Sequence, residues 1–306
     1  ISTLSQACGG RMLIRLAKYS GYCFGVRRAI QLAMDAAQSV KPVYSLGELI
    51  HNPQVVKELH ARGILVADQA TDLHGATVVI RSHGISKEML NSLQEQGSTI
   101  IDATCPYVKR THELICKANE DGYPVLILGD PHHPEVSGLH SYGNTNTIVY
   151  EPGSPLPQIS SSKLCVISQT TQKLENLQQL VSKLLPNVTE LKVYNTICLA
   201  TSQRQSASEC LARESDLMIV IGGRNSSNTK MLASMCSKYC DTIHIETEAE
   251  LVPEQILGSQ RIGLAAGAST PESRIISVYN KLLKINGDAM PVQSLASIPL
   301  FKEESC

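Results

Sequence analysis

An α/β protein with mainly parallel sheets is what this sequence predicts, on three observations. Short apolar and β-branched runs alternate with segments of helical period along the chain, an order that gives parallel strands covered by helices. One local form keeps returning, in which a strand-like run ends in a short polar or glycine-rich loop and a helical pattern starts at once. It is present at Arg81-Ser82-His83-Gly84, at Gly129-Asp130-Pro131-His132-His133-Pro134-Glu135, at Ser168-Gln169-Thr170-Thr171, at Gly222-Gly223-Arg224-Asn225-Ser226-Ser227-Asn228 and at Ala266-Gly267-Ala268-Ser269-Thr270-Pro271-Glu272. The length, 306 residues, suits two or three domains of ordinary size.

Residues 1–11 are set aside as a polar tail, and the first strand is expected at 12–16. Val26, Ala29, Ile30, Ala33, Met34 and Ala37 recur at helical spacing behind Cys23. Strands rich in β-branched residues follow at 77–81 and 98–102. Pro106 then suits the first position of a helix, where no N–H is missed, so Cys105 falls at the N-cap ahead of Val108, Leu114, Ile115 and Ala118. Further strands are expected at 124–128, 163–167, 191–195, 216–221, 242–245 and 261–265. A helix at 174–185 carries Leu174, Leu177, Leu180, Val181 and Leu184 on one face. Thr201-Ser202 suits a cap ahead of Ala207, Cys210 and Leu211. Residues 151–157, rich in Pro, Gly and Ser, form a surface connector.

Composition removes several classes of function. Hydrophobic residues make up 42% and charged residues 18% of the chain, the balance of a folded globular protein. The formal net charge of −1 and the absence of Trp argue against a nucleic-acid binder, which needs a basic face or stacking aromatics. No apolar run approaches the ~20 residues of a membrane span, and no secretory signal stands at the start of the sequence. A cytoplasmic location is therefore expected, with the ten cysteines reduced rather than paired.

Three of those cysteines share one setting. Cys23, Cys105 and Cys198 each precede a helical pattern and recur about once per domain-sized length. A helix N-terminus favours thiolate, so a shared metal site is one reading, although iron–sulfur ligands are more often clustered in sequence. Cys116, Cys165 and Cys210 read as small buried hydrophobes. Cys236 and Cys240 lack the second pair of a zinc motif. Helix N-termini at the carboxyl ends of parallel strands bind anions, so the five loops point to an anionic ligand. His51, His83, His132 and His133, all in loop-like contexts, are then either phosphate donors or structural residues. Glu135 is either a capping carboxylate or a proton donor, and Thr170-Thr171 either cap a helix or face the ligand. The glycine loops fit no nucleotide-triphosphate P-loop.

Taken together, the motifs resemble the LytB/IspH family of 4-hydroxy-3-methylbut-2-enyl diphosphate reductases. The resemblance runs from about residue 12 to residue 283. It rests on Gly21-Tyr22-Cys23-Phe24-Gly25-Val26, Leu49-Ile50-His51-Asn52, Ser82-His83-Gly84 and Asp102-Ala103-Thr104-Cys105-Pro106. It continues with His133-Pro134-Glu135, Gln169-Thr170-Thr171, Ile197-Cys198-Leu199-Ala200-Thr201, Asn225-Ser226-Ser227-Asn228 and Ala266-Gly267-Ala268-Ser269.

The resemblance implies three α/β/α domains with mainly parallel sheets, in a cloverleaf arrangement around a central cavity. Its domains would span 24–104, 105–196, and 12–23 with 197–285, leaving 1–11 and 286–306 as terminal extensions. It implies a [4Fe-4S] cluster held by Cys23, Cys105 and Cys198 with one open iron. It implies an allylic diphosphate substrate whose hydroxyl is removed with two electrons and two protons, giving isopentenyl and dimethylallyl diphosphate. Glu135, Thr170 and His133 would be catalytic, and His51, His83, His133, Thr170, Ser226, Ser227, Asn228 and Ser269 would bind substrate. A ferredoxin- or flavodoxin-like protein would supply electrons, and neither nucleic acid nor a membrane would be a partner. Two rivals differ in class: an iron–sulfur sensor or carrier, which would need no diphosphate loops, and a zinc enzyme acting on a phosphorylated metabolite.

Overall fold

The computed structural model describes residues 12–71, 73–287 and 290–302. The chain opens with β1 (Leu13–Leu16) and α1 (Phe24–Ser39). There follow β2 (Val43–Leu46), α2 (Pro53–Ala61), β3 (Ile64–Ala67), β4 (Thr77–Ile80), α3 (Lys87–Glu95) and β5 (Thr99–Asp102). Next come α4 (Pro106–Glu120), β6 (Val125–Leu128), α5 (Pro134–Ser141), β7 (Ile148–Tyr150), β8 (Lys163–Ser168), α6 (Leu174–Leu184) and β9 (Glu190–Tyr194). The last stretch holds α7 (Leu199–Arg213), β10 (Leu217–Ile221), α8 (Ser227–Cys236), β11 (Asp241–Ile245), α9 (Pro253–Ile256), β12 (Arg261–Ala266) and α10 (Glu272–Ile285).

These strands form three four-stranded sheets, ordered β3-β2-β4-β5, β7-β6-β8-β9 and β1-β12-β10-β11, and every pairing is parallel. The α/β class expected from sequence is therefore present. The central strands explain why it was legible: all residues of β6 and of β10 are buried, as strands covered on both faces must be. Three strands were not expected from sequence: β2, β3 and β7. β2 carries a serine in its middle and β7 is only three residues long, so neither shows a sustained apolar run. They are stabilised by pairing, with Val43 against both Ile64 and Thr77.

The chain divides into two compact units. One comprises Cys23–Ser202, and the other joins the chain up to Tyr22 to the chain from Gln203 on. The first holds two of the sheets. Its apolar clusters pack Leu46, Val78 and Ile80 under Leu93, Ile115 and Ile127 under Leu139, and Leu128 and Val166 under Leu177 and Leu180. In the second unit β1 pairs with β12, Ile14 opposite Ile262, so the start of the described chain completes its last sheet. A core of Ile219, Leu264, Ile275 and Val278 lies on one side of that sheet, and Met218, Val220, Leu232 and Cys236 on the other. No described helix is long and apolar enough to cross a membrane.

Candidate active site and metal centre

The three cysteines all fall in the unit Cys23–Ser202, and each stands immediately before a helix. Cys23 is the N-cap of α1, its sulfur accepting from the Val26 N–H at 3.5 Å. Cys105 is the N-cap of α4, with Pro106 first in the helix. Cys198 precedes α7, and its carbonyl accepts from Thr201 and Ser202 N–H at 2.8 and 3.0 Å. Thr201-Ser202 thus lie inside the first turn of α7, not at a cap ahead of it. The sulfurs converge. A Cβ added at Gly25 would lie 2.8 Å from the Cys105 Sγ and 4.0 Å from that of Cys23, so only glycine fits there. Burial pushes the Cys105 thiol up to about 11, and the charges of Cys198 and Cys23 add to the rise. The Cys198 thiol is raised by burial and by Cys23 and Glu135. The N–H groups of Tyr107 and Val108, and of Ala200 and Thr201, do favour thiolate as the sequence suggests, but crowding and desolvation outweigh them. Three converging, partly buried thiols, of which Cys105 and Cys198 resist ionisation, form a donor set that a bound cation would hold deprotonated.

In the same unit, loops after β2, β4 and β6 bring together the predicted proton donor and three imidazoles. His133 is the N-cap of α5, and its Nδ1 accepts from the Glu135 N–H at 3.1 Å, so the neutral ring carries its proton on Nε2. Glu135 is 1% exposed. Its carboxylate does not cap the helix; Oε1 accepts from the Thr170 N–H at 2.7 Å and Oε2 from the Thr170 hydroxyl at 2.8 Å. Burial raises the Glu135 pKa, and the two bonds from Thr170 oppose the rise. Thr170 is thereby fixed on the carboxylate; α6 starts at Leu174, and its N-cap is Lys173, whose side chain makes no cap bond.

His51 and His83 stack at 4.6 Å between ring centroids, and His133 meets them edge-on at 5.5 and 5.4 Å. Their ligand atoms lie within 4.8 Å of one another. Burial drives the His83 pKa well below the ordinary value, and His51, His133 and Arg81 push it the same way. The His83 Nδ1 is buried without a hydrogen-bond partner. Three close rings, at least one held neutral, suit one shared anion or cation.

The other unit carries its own polar loop ends. Ser226 is the N-cap of α8, its hydroxyl accepting from the Thr229 N–H at 3.3 Å. Asn228, the second residue of the helix, is 5% exposed, and both its Oδ1 and its Nδ2 are buried without partners. Ser227 is half-buried, and Ser269, in the loop after β12, is buried. Gly222 has a φ of +149°, and a Cβ there would meet the Thr229 and Thr270 hydroxyls at 2.7 Å each.

The profile of the LytB protein family matches residues 14–283. The chain belongs to the LytB/IspH family. Among relatives of this LytB/IspH chain, the 4-hydroxy-3-methylbut-2-enyl diphosphate reductase of Pelobacter propionicus is 42% identical over 277 residues, covering 90% of this chain and 99% of the relative. The enzyme of that name from Geobacter sulfurreducens is 42% identical, covering 89% and 97%. A solved structure of (E)-4-hydroxy-3-methyl-but-2-enyl diphosphate reductase, the terminal enzyme of the non-mevalonate pathway, superposes with a TM-score of 0.67 at 41% identity, over 89% of this chain and 100% of that one. The E-1-hydroxy-2-methyl-but-2-enyl-4-diphosphate reductase of Plasmodium falciparum superposes with a TM-score of 0.85 at 25% identity, over 96% of each chain.

Several residues of this LytB/IspH chain gain a part that their sequence context did not assign. Arg81, whose charge depresses His83, donates from Nε to the Gly84 carbonyl at 3.4 Å, so the site does contain a guanidinium. Arg28 reaches from α1 to the carbonyls of Asp102 and Thr104, at 3.4 Å each, beside Cys105. His112 stacks on Tyr142 at 4.0 Å and lies against Gly84. Arg28 and His112 depend on contacts distant in sequence, whereas Arg81 bonds within its own turn; Gly84 carried a local signal, as a glycine following a histidine in a turn.

Proposed function

We propose that this protein removes the hydroxyl group of 4-hydroxy-3-methylbut-2-enyl diphosphate, the compound in its relatives' names, with two electrons and two protons. The products are isopentenyl and dimethylallyl diphosphate and water. The observation that carries this reading is the convergence of Cys23, Cys105 and Cys198 at three helix N-termini. These residues would hold a [4Fe-4S] cluster through three thiolates, and the donor set fits it: soft sulfur ligands, a gap that Gly25 keeps open, and helix ends that favour negative charge. When bound, such a cluster supplies electrons and an open iron acting as a Lewis acid toward an oxygen.

The chain's own residues handle protons and the diphosphate. Glu135, kept protonated to higher pH than an ordinary carboxyl by its burial, in its acid form holds a proton at Oε2 and donates it to the Thr170 hydroxyl, which donates to the same oxygen when the carboxylate is ionised. Thr170 orients the substrate hydroxyl and passes the proton from Glu135 to the departing oxygen, which addresses the poor leaving ability of an alcohol. His133, with its proton on Nε2, His51 and His83 donate to diphosphate oxygens, and a protonated imidazole among them would gain stability from the anion. Ser226, Ser227, Asn228 and Ser269 are further diphosphate donors, supported by the unpartnered amide of Asn228 at the start of α8. The three domains of this reading are 24–104, 105–196, and 12–23 with 197–285, a division supported by the one four-stranded sheet that falls in each. Electrons come from a ferredoxin- or flavodoxin-like protein, and the compartment is cytoplasmic; contrary to the expectation that every cysteine is reduced, Cys210 is disulfide-bonded.

A zinc hydrolase acting on a phosphorylated metabolite is the second reading, favoured by the close ligand atoms of the three histidines. Anaerobic purification with iron, sulfide and zinc analysis separates the two. Iron and sulfide that disappear in Cys105→Ser, together with substrate-dependent oxidation of a reduced viologen dye, are expected. A colourless zinc protein that is indifferent to Cys105→Ser would replace the reductase reading with the hydrolase.

A further inference from the structure

Burial holds His83 neutral well below the ordinary histidine range, and a neutral ring orients an anion but brings it no fixed charge. The guanidinium of Arg81 does bring one, because arginine stays protonated at any working pH. Arg81 follows β4 directly and stands two residues before His83. Its Nε donates to the Gly84 carbonyl at 3.4 Å, and the Gly84 N–H donates back to the Arg81 carbonyl at 3.0 Å, so this residue closes the turn that carries His83. Its far end rests on a second loop. A Cβ added at Gly47 would overlap the Arg81 Nη1 and lie 3.1 Å from its Cζ. Gly47 opens the loop after β2, which runs on to His51, the ring stacked on His83. The guanidinium is therefore wedged between the two segments whose imidazoles face each other. Glu48, next to Gly47, supplies the opposing charge. Its Oε2 lies 3.5 Å from the His51 Nδ1, and it attracts Arg81 through space. Among the described residues, no carboxylate is in ion-pair contact with Arg81.

We infer that Arg81 and Glu48 set the charge selectivity of the histidine site: the guanidinium favours the more highly charged diphosphate over a monophosphate, and the carboxylate tempers that pull. The inference rests on the reading of the three histidines as diphosphate donors. A partly desolvated cation acts over a longer range than one in water, so Arg81 needs no contact with the anion. Hydrogen bonds from the rings depend on which oxygens they reach, whereas Coulomb attraction grows with the charge of the ligand. Anions of different charge therefore separate the two contributions. The same arrangement accounts for Gly47, where only glycine leaves the space that the guanidinium fills.

The probes are inorganic pyrophosphate and inorganic phosphate, with binding to the purified protein followed by calorimetry at pH 8, where an ordinary imidazole is neutral. Arg81→Gln should weaken pyrophosphate binding about tenfold and phosphate binding only about threefold. Arg81→Lys, which keeps the charge, should hold both affinities within about threefold of the parent's. Glu48→Gln should act in the opposite sense and tighten pyrophosphate binding several-fold. Added salt should weaken pyrophosphate binding more steeply in the parent than in Arg81→Gln. An Arg81 that only props up its turn would give another pattern: both anions weakened equally, no rescue by Arg81→Lys, and weaker binding in Glu48→Gln. That pattern overturns the inference, as does unchanged pyrophosphate affinity in Arg81→Gln. If Arg81→Gln does not fold, the sign of the change in Glu48→Gln decides alone. A parent that binds neither anion overturns the histidine reading itself, and the inference falls with it.

Discussion

The polar loop ends of the two units are built in opposite ways. In the unit Cys23–Ser202, Glu135 is fully bonded: both carboxylate oxygens accept from Thr170, and its N–H is taken by His133. In the other unit, the Asn228 amide is as deeply buried but has no partner for either atom. An unmade hydrogen bond on a buried amide costs about 1–3 kcal/mol, so an unpaired amide persists only where something else satisfies it. The contrast fits two tasks. A group that holds a proton must be oriented before the substrate arrives, whereas a group that grips an incoming anion must be left open for it.

The largest effect expected from this contrast is at Glu135. Glu135→Gln keeps the shape and the bond from the Thr170 N–H but cannot deliver a proton, so kcat should fall by ~10²–10⁴-fold with substrate affinity little changed. In the parent, the raised pKa of Glu135 means that the acid form survives above the usual carboxylate range. Turnover should hold at low pH and decline as pH rises through that raised value, and the decline should vanish in the residual activity of Glu135→Gln. A kcat within a few-fold of the parent's would mean that the proton comes from elsewhere. Asn228→Ala should do the reverse, raising KM by about 10–100-fold, the worth of a hydrogen bond to a charged group, with kcat near the parent's. Because its amide is unpartnered without ligand, the ligand-free variant should melt no lower than the parent. A lower melting point with an unchanged KM would make Asn228 structural and dissolve the comparison.

What the sequence made legible follows from how local each signal was. Cys105-Pro106 announces an N-cap, and the apolar runs at Val125–Leu128 and Leu217–Ile221 announce buried strands, because the cause lies within a few residues. The same locality misled at Thr201-Ser202, where two good capping residues stand inside a helix that Cys198 already begins. It also misjudged the thiols: the helix N-termini act in the expected sense, but burial and mutual repulsion come from residues about 80–90 positions apart, which no local pattern contains. β2 and β7 were missed because their stability lies in pairing, β3 although Ile64-Leu65-Val66-Ala67 is a short continuous apolar run, and Arg28 and His112 because their partners are carbonyls and rings elsewhere in the chain. Residue roles at the site were readable only through the ordered set of motifs as a whole.

A smaller effect tests how rigidly the bonded region is held. Gly84 has a φ of +74°, and a Cβ there would come within 3.1 Å of the His112 ring and 3.4 Å of the Thr104 methyl. Gly84→Ala therefore strains the turn carrying His83 and pushes against a ring stacked on Tyr142. A loss of about 1–3 kcal/mol and a KM raised several-fold by a displaced imidazole are expected, read by thermal melting and steady-state kinetics. An unaltered KM would show that His83 does not depend on its turn for position.

The smallest expected effect is a change of slope with pH. His112 is 8% exposed and its Nε2 has no partner; burial lowers its pKa to about 4, with Lys109 lowering it further and Asp102 opposing. A histidine that binds its proton less readily when folded than when unfolded stabilises the fold above its unfolded value of ~6.5, and that contribution is lost as pH falls toward 4. Between pH 7 and 4.5 the loss from this ring is about 2 kcal/mol. Glutamine does not titrate, so the melting temperature of His112→Gln should fall less steeply over that range than the parent's, even if its absolute stability is reduced by the lost stack on Tyr142. His83, depressed in the same direction, remains in both proteins and keeps some acid sensitivity in the variant. Parallel melting curves for the two would mean that the His112 proton equilibrium does not differ between the folded and unfolded chains, and that acid weakens the protein through the triad alone.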